Sequence, residues 1–251
     1  PPSPDIAGKA YILIDANSGT VLAEQDADTA IEPASLTKMM TMYVVSSFLH
    51  DHQLALSDTV RISKKAWKAE GSKLFVKQGD QVPVSTLIKG IIVVSGNDAS
   101  IALAEHVAGS EKAFVSLMNS TASQLGMNHT HFENVTGLPH EGHIASVRDL
   151  ATLAKSLIRD YPDEYQWYKE KWLSYNGIKQ PNRNRLLWRD TKVDGVKTRH
   201  TNSAGYCLVS SAHNGNMRLI AVVVGEPSAN ARTDDSQSLL TWGLRYFETR
   251  E

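Results

Sequence analysis

Three short groups of polar residues stand at spacings that could support acyl transfer. The first is Ser35-Leu36-Thr37-Lys38, in which a hydroxyl and an amine are three residues apart. On a helix such residues share one face, with Cβ atoms about 5–6 Å apart. A lysine there can accept the serine proton when burial or a neighbouring cation lowers its pKa. The pair predicts a serine nucleophile with a lysine base, although a capping serine and a solvated lysine give the same string.

The second and third groups could complete such a site. Ser95-Gly96-Asn97 follows an apolar helix and can present a hydroxyl and an amide to a cleft. It can also be a plain connection between two helices, with Asn97 as the N-cap. Lys197 and Thr198 follow a predicted strand, where they could hold an anionic substrate group or simply mark an exposed strand end. The order of the three groups along the chain favours one common site.

Hydrophobic periodicity predicts the elements that must position these residues. A hairpin over 9–25 precedes a helix that begins near Pro33 and carries Ser35 and Lys38. Strands at both ends of the chain, with helices between them, predict an α/β (α+β) class with one main domain over 1–251. The other predicted helices cover 86–94, 98–108, 111–125, 146–159 and 229–247, and the other predicted strands cover 60–62, 74–76, 193–197, 205–212 and 218–225.

These groups and their flanking segments resemble the penicillin-recognising serine enzymes, and more narrowly the D-alanyl-D-alanine carboxypeptidases, the low-molecular-mass penicillin-binding proteins. The resemblance extends over the whole chain and includes Phe-Glu-Asn-Val-Thr-Gly-Leu-Pro at 132–139 and Asn-Arg-Leu-Leu-Trp at 184–188. It implies the serine β-lactamase/DD-peptidase fold, an antiparallel sheet flanked by helices with an α-rich subregion. It also implies a D-Ala-D-Ala carboxypeptidase that trims peptidoglycan stem peptides and is acylated by β-lactams.

The resemblance also implies roles for the motif residues. Ser35 is the acylated nucleophile, and Lys38 is its general base. Ser95 passes a proton toward the leaving group, Asn97 orients the substrate, and Lys197 supplies positive charge. The reaction is acyl transfer in two steps, with water as the final acceptor. No cofactor and no metal are implied.

By the same resemblance, Thr198 and Arg232 hold the terminal carboxylate of the substrate. The backbone N–H groups of Ser35 and His200 form the oxyanion hole, in which one donor lowers the barrier by ~3–4 kcal/mol. One residue departs from the family pattern, because Arg199 stands where the third motif normally has Gly. We expect altered activity on the peptide or on β-lactams, unless strand alternation turns the Arg199 side chain out of the cleft.

Several alternatives remain open at the level of sequence. A class A β-lactamase would need a Glu that activates the deacylating water, and 126–145 offers only Glu133 and Glu141 without a convincing pattern. A DD-endopeptidase of the same superfamily is poorly separated from a carboxypeptidase. A catalytically impaired peptidoglycan-binding protein is favoured somewhat by Arg199. A metallopeptidase is disfavoured, since the histidines at positions 129, 131, 140 and 143 look like surface residues of a solvated loop.

Composition excludes several other classes. The chain has 251 residues, 41% hydrophobic and 21% charged, with a net charge of -1, so a general nucleic-acid surface is not expected. Cys207 is the single cysteine, which excludes an intrachain disulfide. No apolar run approaches the ~20 residues of a membrane span. The resemblance implies a periplasmic protein associated with the inner membrane. Its β-rich second domain and C-terminal anchor are absent from this sequence, which therefore looks trimmed.

Overall fold

A five-stranded antiparallel sheet lies at the centre of the fold. The computed structural model describes residues 1–249, so the last two residues of the predicted domain lie outside the described residues. The strands are β1 (Ala10–Asp15), β2 (Val21–Gln25), β3 (Thr59–Arg61), β4 (Gln81–Pro83), β5 (Trp172–Tyr175), β6 (Ile178–Pro181), β7 (Val193–Thr201), β8 (Gly205–Asn214) and β9 (Met217–Glu226). The large sheet has the order β2-β1-β9-β8-β7, which confirms that the two chain ends build one antiparallel sheet.

Helices cover both faces of the sheet and fill the region between its halves. They are α1 (Lys38–His50), α2 (Lys64–Trp67), α3 (Val84–Val94), α4 (Asn97–Ala108), α5 (Glu111–Gln124), α6 (Val147–Asp160), α7 (Pro162–Tyr165), α8 (Leu186–Arg189) and α9 (Ala229–Tyr246). The N-caps of α5, α6 and α9 are serines whose hydroxyls accept the third backbone N–H of the helix. Among residues 1–249, no helix is long and apolar enough to span a bilayer.

Alternation along the strands separates two cores. Ile12 and Val222 face the larger core, which includes α1 and α6, whereas Leu13 and Leu219 face the smaller core under α9. Gly243 lets α9 lie close to the sheet, because a Cβ atom at this position would lie 2.5 Å from a methyl carbon of Leu219. The sheet is therefore buried on both faces, and β7 forms one of its edges beside the segment that contains Ser35.

Three local predictions were wrong, and two pairings of strands were missed. Residues 74–76 form no strand, because their backbone N–H groups donate to the buried carboxylate of Asp98 instead of to a neighbouring chain. The partner of β3 is β4, which sequence reasoning missed together with the β5–β6 hairpin. The helix predicted from Pro33 begins as α1 only at Lys38, after a 3-10 turn over Ala34–Thr37. The third is the start of α3, which lies at Val84 and not at the predicted residue 86.

Candidate active site

The serine of the first motif lies in a tight turn just before a helix. Ser35 belongs to the 3-10 turn Ala34–Thr37, and Ala34 has the left-handed φ of +43°. This turn packs against Gly137, where a Cβ atom would lie 1.7 Å from the Ala34 carbonyl oxygen. Only glycine fits at that contact. The loop around Gly137 therefore fixes the turn, which leaves Ser35 partly exposed at a cavity.

The lysine of the same motif is buried directly behind the serine. Lys38 is 1% exposed, and its Nζ lies 3.4 Å from Ser35 Oγ and 2.9 Å from the Thr136 carbonyl oxygen, to which it donates. Burial lowers the pKa of Lys38 well below its usual value, the Lys197 cation lowers it further, and Asp98 opposes the shift. An amine with a lowered pKa beside a hydroxyl has the arrangement that a general base needs.

A buried histidine contacts the 3-10 turn that contains Ser35. His143 is 3% exposed, and its Nδ1 accepts the backbone N–H of Glu133 at 2.9 Å. Its Nε2 must then carry the proton and donate to Thr37 Oγ1, 2.7 Å away. Burial lowers the pKa of His143 to about 4, which keeps the ring neutral. The prediction that all four loop histidines are surface residues was wrong for this one.

Ser95 reaches the cavity from the turn between α3 and α4, and Asn97 lies buried beside the same turn. Ser95 has a left-handed φ of +57° and ends α3, and its hydroxyl is buried without a hydrogen-bond partner among the described residues. Asn97 is the first residue of α4 rather than its cap, which is Gly96. The Asn97 amide donates to the Glu70 carbonyl oxygen at 2.6 Å, while its Oδ1 has no partner within residues 1–249. A buried hydroxyl and a buried amide oxygen are thus free to meet a ligand.

Strand β7 brings the third motif to the same place. Lys197 is 5% exposed, and its Nζ donates to the Thr198 carbonyl oxygen at 3.1 Å. Burial, together with the cations Arg183 and Arg232, lowers the pKa of Lys197 to about 7. Thr198 lines the cavity next to the strand edge. The Lys197 amine therefore changes its charge near neutral pH.

Arg232 and His200 form the far wall of the cavity. Arg232 extends from α9, and its Nη1 donates to the Arg199 carbonyl oxygen at 3.1 Å. Its guanidinium lies 5.3 Å from the centre of the Tyr206 ring, on which the His200 ring stacks at 3.9 Å. Tyr206, which sequence reasoning missed, thus supports both residues. Its position opposite His200 in the β7–β8 register could have indicated it.

The cavity has a volume of about 560 Å³ and a strongly positive wall. Five of the eight predicted site residues line it, and Lys38, Asn97 and Lys197 lie buried close by, with Lys197 near enough to lower the pKa of Lys38. Of the residues described, no Asp or Glu lines it. The lining residues are Ser35, Ser72, Ser95, Pro181, Asn182, Arg183, Arg185, Trp188, Thr198, Arg199, His200, Tyr206, Ala229 and Arg232. Such a cavity suits a negatively charged ligand.

The side chain of Arg199 is buried on the other side of β7. It is 1% exposed, with Nη1 3.5 Å from Cys207 Sγ and Nη2 3.9 Å from Glu32 Oε2. Neither of these neighbours lines the active-site cavity, so the guanidinium is directed away from that cavity although Arg199 forms part of its wall. A second cavity of about 250 Å³ lies beside Arg199 and Glu32. The bulk and charge of Arg199, which the sequence led us to expect in the acyl pocket, therefore lie largely behind β7.

Comparison with known proteins agrees with this geometry. The family profile described as D-alanyl-D-alanine carboxypeptidase matches residues 1–228. The chain is 52% identical over 256 residues to D-alanyl-D-alanine carboxypeptidase DacA of Escherichia coli strain K12, an alignment that covers 99% of this chain and 64% of the relative. The chain thus spans just under two thirds of the length of that relative.

Solved structures show the same fold. Penicillin-binding protein 5 from Haemophilus influenzae superposes with a TM-score of 0.95 at 46% identity, over 98% of this chain and 73% of that one. Penicillin-binding protein D2 from Listeria monocytogenes in its ampicillin-bound form has a TM-score of 0.88 at 27% identity, over 97% of this chain and 100% of that one. With the motif residues gathered at one cavity, these matches show that the chain belongs to the D-alanyl-D-alanine carboxypeptidase family of serine peptidases.

Proposed function

We propose that this chain is the catalytic part of a serine D-Ala-D-Ala carboxypeptidase, which removes the terminal D-Ala from peptidoglycan stem peptides. The observation that carries the proposal is the buried Lys38 amine, 3.4 Å from Ser35 Oγ at a cavity with a cationic wall. A stem peptide ends in a carboxylate, so its charge complements that wall. Family membership and the identity of 52% to a carboxypeptidase of Escherichia coli support the same assignment.

Acylation uses the first and second motifs. Ser35 Oγ attacks the carbonyl carbon of the penultimate D-Ala as its proton passes to the uncharged Lys38 amine. The backbone N–H groups of Ser35 and His200 stabilise the oxyanion, an assignment that rests on the family resemblance. The C–N bond then breaks, and the leaving D-Ala nitrogen takes the proton that Lys38 received, by way of Ser95, whose buried hydroxyl has no other partner in the described chain. Lys38 is then uncharged again. Asn97 orients the acyl side of the peptide.

Substrate binding and deacylation use the third motif and water. Thr198, Arg232 and the charged form of Lys197 hold the terminal carboxylate, which leaves with D-Ala. Water then attacks the ester at Ser35 while the uncharged Lys38 amine takes a proton from it, and Lys38 returns this proton to Ser35 Oγ as the C–O bond breaks. The chemistry needs no cofactor.

β-Lactams should acylate Ser35 as mimics of the D-Ala-D-Ala end. The ampicillin-bound form of the Listeria relative supports this expectation. Among the described residues lining the cavity there is no carboxylate that could activate water for an efficient β-lactamase, and Glu133 instead lies 3.2 Å from His131. The penicilloyl adduct should therefore persist. This observation disfavours the β-lactamase alternative, whereas the endopeptidase alternative stays open.

The place of action we propose is the bacterial periplasm, with attachment to the inner membrane through a C-terminal anchor of the full-length protein. This part of the proposal rests on the family resemblance. Fractionation of cells that express the full-length protein checks it, since release of the protein by salt alone, or its recovery in the cytoplasm, contradicts an anchored periplasmic form.

A slow or inactive penicillin-binding protein is the second candidate function. Arg199 favours it, because a buried guanidinium replaces the glycine of the family motif next to the backbone of His200. The variants Arg199→Gly and Arg199→Met separate the candidates, since only the first restores the family motif. Equal acylation rates for the original chain and Arg199→Gly would contradict an effect of Arg199.

The direct test is release of free D-Ala from a peptide that ends in D-Ala-D-Ala. We expect release by the original chain and none by Ser35→Ala, which keeps the buried Lys38 in place. A matched peptide that ends in L-Ala-L-Ala should not be cleaved. Release by the Ser35→Ala protein would contradict the assignment of the nucleophile, and absence of release by the original chain would favour the second candidate.

A further inference from the structure

We propose that Arg199 forms a binding site for a small oxyanion, a carboxylate or a phosphate, in the second cavity behind β7. This cavity has a volume of about 250 Å³ and lies among Arg199, Glu32, Lys9 and Ser203. It is distinct from the Ser35 cavity, which Lys9, Glu32 and Ser203 do not line. The proposal does not depend on the proposed function, because it concerns a different cavity and needs no peptide substrate.

The guanidinium of Arg199 lacks the partners that a buried charge requires. Within residues 1–249, its Nε and Nη2 atoms have no hydrogen-bond partner although the side chain is 1% exposed. Its Nη1 meets only the thiol of Cys207 at 3.5 Å. Burial raises the pKa of Cys207, so this weak acceptor carries no neutralising charge. A buried cation in this state is costly unless an anion reaches it.

Glu32 lies beside this position without occupying it. Its Oε2 stays 3.9 Å from Arg199 Nη2, beyond hydrogen-bond distance, and accepts instead from Ser203 Oγ at 3.3 Å. The Glu32 side chain is 53% exposed, so it can move away from the cavity. Nε and Nη2 of Arg199 are buried in the structure, so an anion reaches them only when such a movement uncovers them. Lys9 adds a second cation at the cavity, which therefore has two cations and one carboxylate. The net charge favours an anion.

The free donors set the chemical class of the ligand. Nε and Nη2 of one guanidinium can donate two parallel hydrogen bonds, which fit two oxygens of a carboxylate or a phosphate. A chloride ion lacks the two oxygens that would accept these parallel hydrogen bonds, so the guanidinium does not select it in the same way. The ligand is thus a compact oxyanion, and acetate and inorganic phosphate serve as the two probes.

The experiment is a titration of the folded chain with phosphate and, separately, with acetate, at constant ionic strength held with chloride. Binding is followed by calorimetry and by amide chemical shifts of the residues around the second cavity. We expect saturable binding of at least one probe. Saturation by only one of the two probes shows whether the site takes a phosphate or a carboxylate. Absence of saturation for both overturns the proposal and leaves water as the occupant.

Three variants locate the site. Arg199→Met keeps a long side chain without the donors, and we expect it to weaken binding by about tenfold or more. Glu32→Gln removes the competing carboxylate, so we expect tighter binding. Arg61→Met removes one exposed arginine of β3 and should leave binding unchanged. Unchanged binding in Arg199→Met, or weaker binding in Glu32→Gln, would overturn the proposal.

Discussion

The basic side chains buried at the two cavities beside β7 differ in their hydrogen-bond partners. At the active-site cavity, Lys38 donates to the Thr136 carbonyl oxygen, Lys197 to that of Thr198, and Arg232 to that of Arg199. At the second cavity, Arg199 has a thiol and a distant carboxylate. Backbone carbonyl groups therefore position Lys38, Lys197 and Arg232. The guanidinium of Arg199 has no backbone acceptor of this kind among the described residues. In the proposed mechanism, a buried basic side chain serves catalysis because the surrounding loops hold it at a defined distance from the nucleophile.

Removing the amine at the active-site cavity should give the largest effect. Lys38→Met keeps the volume of the side chain but removes the base, so we expect acylation of Ser35 by a β-lactam to slow by about 10³-fold. The second-order rate constant for acylation measures this change. Lys89→Met, which removes an exposed lysine of α3, serves as the control. A comparable loss in the control, or a rate close to the original in Lys38→Met, would break the proposed contrast between the two cavities.

The pH profile of acylation sharpens the same comparison. Lys38 acts uncharged, so acylation should slow as pH falls through its lowered pKa. Lys197 acts charged, and since its pKa is about 7, the anionic substrate should be held less well as pH rises through about 7. We expect a bell-shaped profile of the acylation rate constant in the original chain. A rate that is constant between about pH 5 and pH 9 would contradict these roles.

The support beneath the nucleophile turn should give the next largest effect. His143→Ala removes two buried hydrogen bonds and leaves a void under Thr37, so we expect the free energy of unfolding to fall by ~3 kcal/mol. His140→Ala, an exposed neighbour in the same loop, should change it little. Denaturant unfolding measures both variants. Because His143 positions the turn, His143→Ala should also slow acylation of Ser35 in the protein that remains folded. An unchanged acylation rate in that folded protein would limit His143 to a structural role.

The smallest effect is expected at the second cavity. In a buffer without oxyanions, Arg199→Met should raise the free energy of unfolding by ~2 kcal/mol, because it replaces a buried charge with an apolar chain of similar length. For a chain of this size that gain corresponds to a midpoint about 5 °C higher. Arg61→Met again provides the control. A lower midpoint for Arg199→Met than for the original chain would show that the guanidinium is already well paired.

Much of the fold could be predicted because its signals are local. Apolar runs indicated β1, β8 and β9, and hydrophobic periodicity placed α5, α6 and α9 within one residue of their observed ends. The segment at 74–76 was mistaken for a strand because its backbone bonds go to Asp98, a partner 22 to 24 residues away. No pattern within the segment reveals such a bond.

The candidate site shows the same division. Its motif residues could be predicted from their types and spacing, and the structure gathers them at one cavity. Their supports could not, since His143 and Gly137 act through contacts with the Ser35 turn, about 100 residues earlier in the chain. The direction of the Arg199 side chain was also undetermined, because it depends on Cys207 in the neighbouring strand and on the cavity behind it.

The central claim is that Ser35 is the nucleophile activated by Lys38. The most direct measurement is the intact mass of the chain, followed over time after addition of ampicillin, with Ser35→Ala as the control. We expect one persistent penicilloyl adduct on the original chain, located on Ser35 by peptide mapping, and none on Ser35→Ala. An adduct on another residue, or an equal adduct on the Ser35→Ala chain, would contradict the claim.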